Sequence, residues 1–216
     1  MSTNPSKEHL NRALYICHYL IGTWDYSLIH DGASDKGLIA CTDSDWGQDK
    51  VTYHSQTGFY LKLTNGVFLW NSDLQKTTAL SSMEAEYMTL SHCTHQAIWI
   101  HQMMEELGWN LGPILICDNN HGLLFITQNL VTKKRPKHIT IQYHFVHNTV
   151  MLWKQVELLY TPGTDNPVDT YIHMFTKNFG HVKFNEFRSQ LRLEFHSTWV
   201  SLLLGCADML MFTMIY

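Results

Sequence analysis

Apolar positions recur along the chain with two different periods, and the changes between them mark out its elements. In "SKEHLNRALYICHYLI", residues 6 to 21, they fall at helical spacing among Lys, Arg and His, which predicts an amphipathic helix. A polar piece rich in turn formers follows, with Gly22, Asp31, Gly32 and Gly37, and reads as a lead-in. From residue 37 the pattern becomes that of strands: "GLIACTDSDW" is an apolar run ending in carboxylates, "TGFYLKL" alternates, and "GVFLWNS" follows the turn signal Asn65-Gly66. Three short strands in a row predict antiparallel pairing.

The stretch "SSMEAEYMTLSHCTHQAIWIHQMMEELG", residues 81 to 108, predicts a long helix closed by Gly108. Steps of four and three from Glu86 pass through Leu90, Cys93, Ala97, Ile100, Met104 and Leu107, an apolar stripe headed by a carboxylate. Glu84 falls on the solvent side. "PILICD" (113 to 118) is a short continuous apolar run of the kind buried on both faces in a parallel pairing. Helices are then predicted over 120 to 129 and 139 to 151, separated by the basic loop "TKKRPKH". "QVELLYT" (155 to 161) makes a fifth strand, and a last pair of helices runs to about residue 193. The order β-β-β-α-β-α-α-β-α predicts an α/β fold, with three antiparallel strands continued by two parallel ones into a mixed five-stranded sheet and helices on both faces.

Composition adds limits. With 216 residues, 45% hydrophobic and 16% charged, the chain is suited to one well-packed domain with some extra and is neither disordered nor fibrous. Five scattered cysteines, never in a C-x-x-C pair, indicate neither a disulfide framework nor a zinc ribbon, so a reducing, intracellular setting is expected. A net charge of −4 argues against gripping nucleic acid with the whole surface; any such contact must be local. No secretory signal opens the chain. The segment 199 to 216 is apolar except for Asp208, and this charge together with the absence of basic flanks favours a packed or stray tail over a membrane span. His92, Cys93 and His95 do not make a metal site, because Cys93 belongs to the inward stripe while both histidines point to solvent.

Three acidic residues fall at the ends or inward faces of core elements: Asp43 at the end of the first strand, Glu86 on the long helix, Asp118 at the end of the fourth strand. Each has an ordinary explanation. Asp118-Asn119-Asn120 suits a helix cap, Asp43 and Asp45 suit a turn, and Glu86 suits a helix's first turn. Together they suit a shared divalent cation, which removes the cost of burying unpaired carboxylates.

"TDSDWG" (42 to 47), "ALSSMEAEYMTLS" (79 to 91), "CDNN" (117 to 120), "KHITIQYHFV" (137 to 146) and "NPVD…MFTK" (166 to 177) resemble, in this order, the ribonuclease H domain at the end of copia-type retrotransposon polyproteins. The likeness covers about residues 5 to 192 and lacks the polymerase. It implies a connection out of the reverse transcriptase over 1 to 36, a ribonuclease H-like domain over 37 to 178, a helix over 179 to 193, and a tail over 194 to 216 of unassigned status. It also implies cleavage of the RNA strand of an RNA/DNA hybrid with two Mg²⁺ ions, or Mn²⁺ in their place, and with no small-molecule cofactor. The reverse transcriptase portion of the same polyprotein would be the protein partner.

By position, the resemblance implies Asp43, Glu86 and Asp118 as catalytic ligands. For the fourth, alignment from the left gives Asp169 and from the right gives His173, since "TYIH" separates the two halves of the motif; Asp169 is the ligand expected. Four added residues turn a helix face by only about 40°. Two basic pairs usual in the family are replaced by Tyr53-His54 and Asp73-Leu74. Lys133, Lys134, Arg135 and Lys137, with His138 beside them, remain to hold the hybrid's backbone, or else form a solvated loop. The alternative to an active nuclease is an impaired relic that keeps the fold and at most binds nucleic acid or a protein.

Overall fold

The computed structural model describes residues 6–30, 37–64, 66–129, 137–161, 185, 188–189 and 191–195, with the backbone alone at 137–139. Helix α1 spans Lys7–Gly22 and leads into a short strand β1, Tyr26–Leu28. The meander β2 (Leu38–Asp45), β3 (Gln56–Leu63) and β4 (Gly66–Leu74) precedes α2 (Ser82–Glu106). Strand β5 (Ile114–Asp118), α3 (His121–Gln128), α4 (Lys137–His147), a π-helical turn at Asn148–Leu152, and β6 (Val156–Tyr160) complete the main layer.

The sheet order is β4-β3-β2-β5-β6, with β2–β3 and β3–β4 antiparallel and β2–β5 and β5–β6 parallel. This is the mixed five-stranded sheet expected from the pattern. At the β3–β4 turn Leu63 pairs with Gly66, which opens β4 as the segment "GVFLWNS" implies. Thr64 carries the positive φ, 45°. Gly66 is needed for another reason, since a Cβ there would run into the His30 imidazole ring.

Pleating divides the core into two faces. Leu38, Ala40, Phe59, Leu61, Ile114 and Ile116 pack against Leu90, Cys93, Ala97 and Ile100 of α2, with Leu123 of α3 and Tyr143 and Val146 of α4 behind them. Cys41, Tyr60, Val67 and Cys117 pack the other way, against Leu191, Leu193, and Tyr19 of α1. The expected apolar stripe on α2 is buried from Leu90 to Ile100, but Leu107 is 67% exposed, because the helix ends at Glu106.

The lead-in and the chain's far end hold a further difference. Leu193–Phe195 is a strand, β7, paired antiparallel with β1, where a helix was expected to run to about residue 193. Asn185, Arg188 and Ser189 are helical. The guanidinium of Arg188 lies 4.4 Å from the centre of the Tyr26 ring, and Tyr26 meets Phe195 edge-on, so aromatic contacts fix this ribbon over the second face. Among the described residues no helix is long and apolar enough to cross a membrane; the apolar segment 199 to 216 lies outside them.

Candidate functional site

The site sits where β2 and β5 end side by side. Cys41 lies opposite Cys117 in the parallel register, so Thr42 and Asp118 follow as neighbours on the face that carries α2. The Thr42 hydroxyl donates to Asp118 Oδ2 at 2.7 Å. The Asn120 backbone N–H donates to Asp118 Oδ1 at 2.8 Å. Asp118 is 2% exposed. Burial pushes its carboxyl up to about 8; the two hydrogen bonds oppose that rise, while the charges of Glu86 and Asp43 add to it.

Glu86 lies in the second turn of α2, whose start is set by Ser81: its hydroxyl accepts from Glu84 N–H at 3.2 Å, while Glu84 Oε2 accepts from Leu80 N–H. Glu84 therefore closes the helix start, and Glu86 reaches toward β5. Glu86 Oε2 accepts from the Asn120 side-chain amide. Burial raises the Glu86 carboxyl above the ordinary range, Asn120 lowers it, and the Asp43 charge raises it.

Asp43 is buried, opposite Gly58 of β3. Strand alternation puts it in register with Cys41 rather than with Thr42, two residues before β2 ends at Asp45. Its charge is felt by both Glu86 and Asp118. Thus Asn120 bridges Glu86 and Asp118, and the Asp43 charge raises both carboxyls. Among the described residues, however, no three His, Cys, Asp or Glu side chains are gathered tightly enough to hold one metal ion. Both Asp118 oxygens and one Glu86 oxygen are engaged by Thr42 and Asn120 instead.

In kind, the donors fit a hard divalent cation. They are carboxylate oxygens, they repel one another, and a shared positive charge would offset both their burial and their repulsion. Asp169 and His173 lie outside the described residues, as do Lys133, Lys134 and Arg135. Lys137 and His138 open α4, with only their backbone described.

Asn120 and Thr42 were not legible as site residues. The sequence did mark a cap at 118 to 120, and Asn120 is the N-cap of α3, its Oδ1 accepting from Gly122 and Leu123 N–H. Its bond to Glu86 joins residues 34 apart and leaves no local signal. His92 and His95 of α2 are exposed, as expected, and each also meets an aromatic ring: His92 meets Phe59 edge-on and His95 stacks on Phe145 at 3.8 Å. Partial burial lowers the basicity of both rings.

The sheet order, three antiparallel strands continued by two parallel ones and flanked by helices, defines a ribonuclease H-like domain. No protein-family model matches the chain. It is 32% identical over 189 residues to the retrovirus-related Pol polyprotein from transposon RE1 of Arabidopsis thaliana, covering 87% of this chain and 12% of that one. Against the Pol polyprotein from transposon TNT 1-94 of Nicotiana tabacum the identity is 30% over 175 residues, 81% of this chain and 13% of that one. It also matches secreted RxLR effector protein 161 of Plasmopara viticola, 35% identical over 99 residues, 46% of this chain and 70% of that one. The chain belongs to the retrovirus-related Pol polyproteins, matching a ribonuclease H segment within them, and it spans about an eighth of the length of those it matches.

Among solved structures, LC11-RNase H1 from compost aligns at 12% identity and a TM-score of 0.45 over 59% of this chain and 85% of that one. The Prototype Foamy Virus protease-reverse transcriptase aligns at 14% and 0.46 over 74% of this chain and 20% of that one. The fold assignment rests on the sheet order itself.

Proposed function

We propose that the chain is a retrotransposon ribonuclease H, an endonuclease that cuts the RNA strand of RNA/DNA hybrids with the help of magnesium. One observation carries this reading: buried Asp43 of β2 and Asp118 of β5, with Glu86 of α2 tied to Asp118 through Asn120. Asp169 is proposed as the fourth ligand. When bound, a pair of Mg²⁺ or Mn²⁺ ions would activate the attacking water and stabilise the leaving oxygen. The chain's own part is to bury the acids at one end of the sheet, where a bound cation would favour their ionised form. Lys133, Lys134, Arg135, Lys137 and His138 would hold the hybrid's backbone, and the 2′-hydroxyl would mark the strand to be cut. Residues 1–36 would connect to the reverse transcriptase of the same polyprotein, in a cytoplasmic or nuclear setting.

A second reading, a relic without activity, draws support from the engagement of the carboxylate oxygens by Thr42 and Asn120 and from Tyr53-His54 and Asp73-Leu74 in place of basic pairs. One assay separates the two. The full chain is incubated with an end-labelled hybrid and Mg²⁺, beside Asp43→Asn. The nuclease reading expects cleavage of the RNA strand by the wild type and none by the variant. Cleavage that survives the substitution would discredit the site, and no cleavage by either chain would favour the relic.

A further inference from the structure

We propose that Asn120 is the positioning residue of the acidic site, holding the Glu86 carboxylate beside Asp118 so that a divalent cation meets both in place. This rests on the reading of the site as cation-dependent. All the polar groups of the Asn120 side chain are used. Its Oδ1 accepts from Gly122 N–H at 2.8 Å and from Leu123 N–H at 3.3 Å, while its amide nitrogen donates to Glu86 Oε2. Its backbone N–H donates to Asp118 Oδ1. The amide cannot be reversed, because a flip would set its NH₂ against two helix N–H groups and its oxygen against a carboxylate.

The Met83 side chain of α2 packs against Gly122, where an added Cβ would lie 2.6 Å from its Cε, so the first turns of α3 and α2 are neighbours. Without the amide, the negative charge of Asp43 and the cost of burial would favour turning the half-buried Glu86 toward solvent. With it, one donor occupies one Glu86 oxygen, and lone pairs remain for an ion. Asn120 thus acts on the cation through Glu86 and Asp118, by the same logic that makes outer partners of metal ligands worth roughly 10–100-fold in affinity.

Two variants separate this role from helix capping. Asn120→Ser and Asn120→Gly both keep a residue that suits the N-cap, yet glycine has no side-chain donor and the serine hydroxyl ends one bond short of the amide nitrogen that reaches Glu86. The probe is Mn²⁺ alone, its uptake by the full chain followed through loss of the free-ion paramagnetic resonance signal, with metal-free melting temperatures measured alongside. Expected is uptake weakened about 10–100-fold in both variants, at melting temperatures close to wild type. Wild-type affinity in a folded variant would overturn the proposal, and so would loss of the fold in both, which would make the bond to Glu86 a structural one. If the wild type itself takes up no Mn²⁺, the nuclease reading falls and the proposal with it, an outcome distinguishable because no variant is involved.

Discussion

Asp118 carries a cost that can be read out by titration. An ordinary aspartate releases its proton near 3.8, whereas this one holds it up to about 8. Between those values the folded chain binds more protons than the unfolded one, so stability in chelator falls as pH rises through the window and is fully present only below it. Glu86 contributes with the same sign. Asp118→Asn is expected to flatten this slope, matching wild type near pH 4 and exceeding it near pH 8 by something on the order of a few kcal/mol; urea unfolding across that range, with EDTA present, measures it. A wild-type stability that rose from pH 4 to pH 8 would contradict the assignment. The three acids were legible because strand ends and a helical stripe are local patterns. Thr42 was not, since a β-branched residue in a strand looks like any other, and its bond to Asp118 spans 76 positions.

At the scale of elements, α2 shows where periodicity stops informing. Its stripe located Leu90, Cys93, Ala97 and Ile100, yet Ala85, Tyr87, Thr89, Ser91 and Thr94 are buried as well. A helix covered by a sheet on one side and by α3 and α4 on another buries more than one stripe. The hydroxyls tolerate this through bonds back into the helix, from Thr89 to the Ala85 carbonyl and from Thr94 to that of Leu90. Burial separates two leucines the stripe treated alike. Leu90→Ala is expected to cost about 2–5 kcal/mol, while Leu107→Ala should stay within about 0.5 kcal/mol; equal losses in chemical denaturation would refute the boundary at Glu106.

At the scale of the whole molecule, the β1–β7 ribbon is the part that local pattern could not supply, because each strand is three residues long and its partner lies far along the chain. It matters for the second face, where the hydrogen bond from Cys41 draws the Cys117 thiol down to about 7 under the cover of Leu191 and Leu193. A thiol so poised reacts readily once reached, so Leu193→Gly is expected to speed alkylation of Cys117 at neutral pH by roughly tenfold or more, with exposed Cys17 as the internal reference. Peptide mass mapping after timed iodoacetamide exposure would check it, and unchanged labelling would show that the ribbon is no lid. The parallel seam between β2 and β5 has a consequence in time. The hairpins from residue 38 to 74 close through near neighbours, whereas the seam waits for a loop of some seventy residues to be drawn in, the slow kind of event in a folding chain. Ion uptake during refolding would therefore chart the arrival of β5, and an interrupted chain could have a finished meander yet no acidic centre.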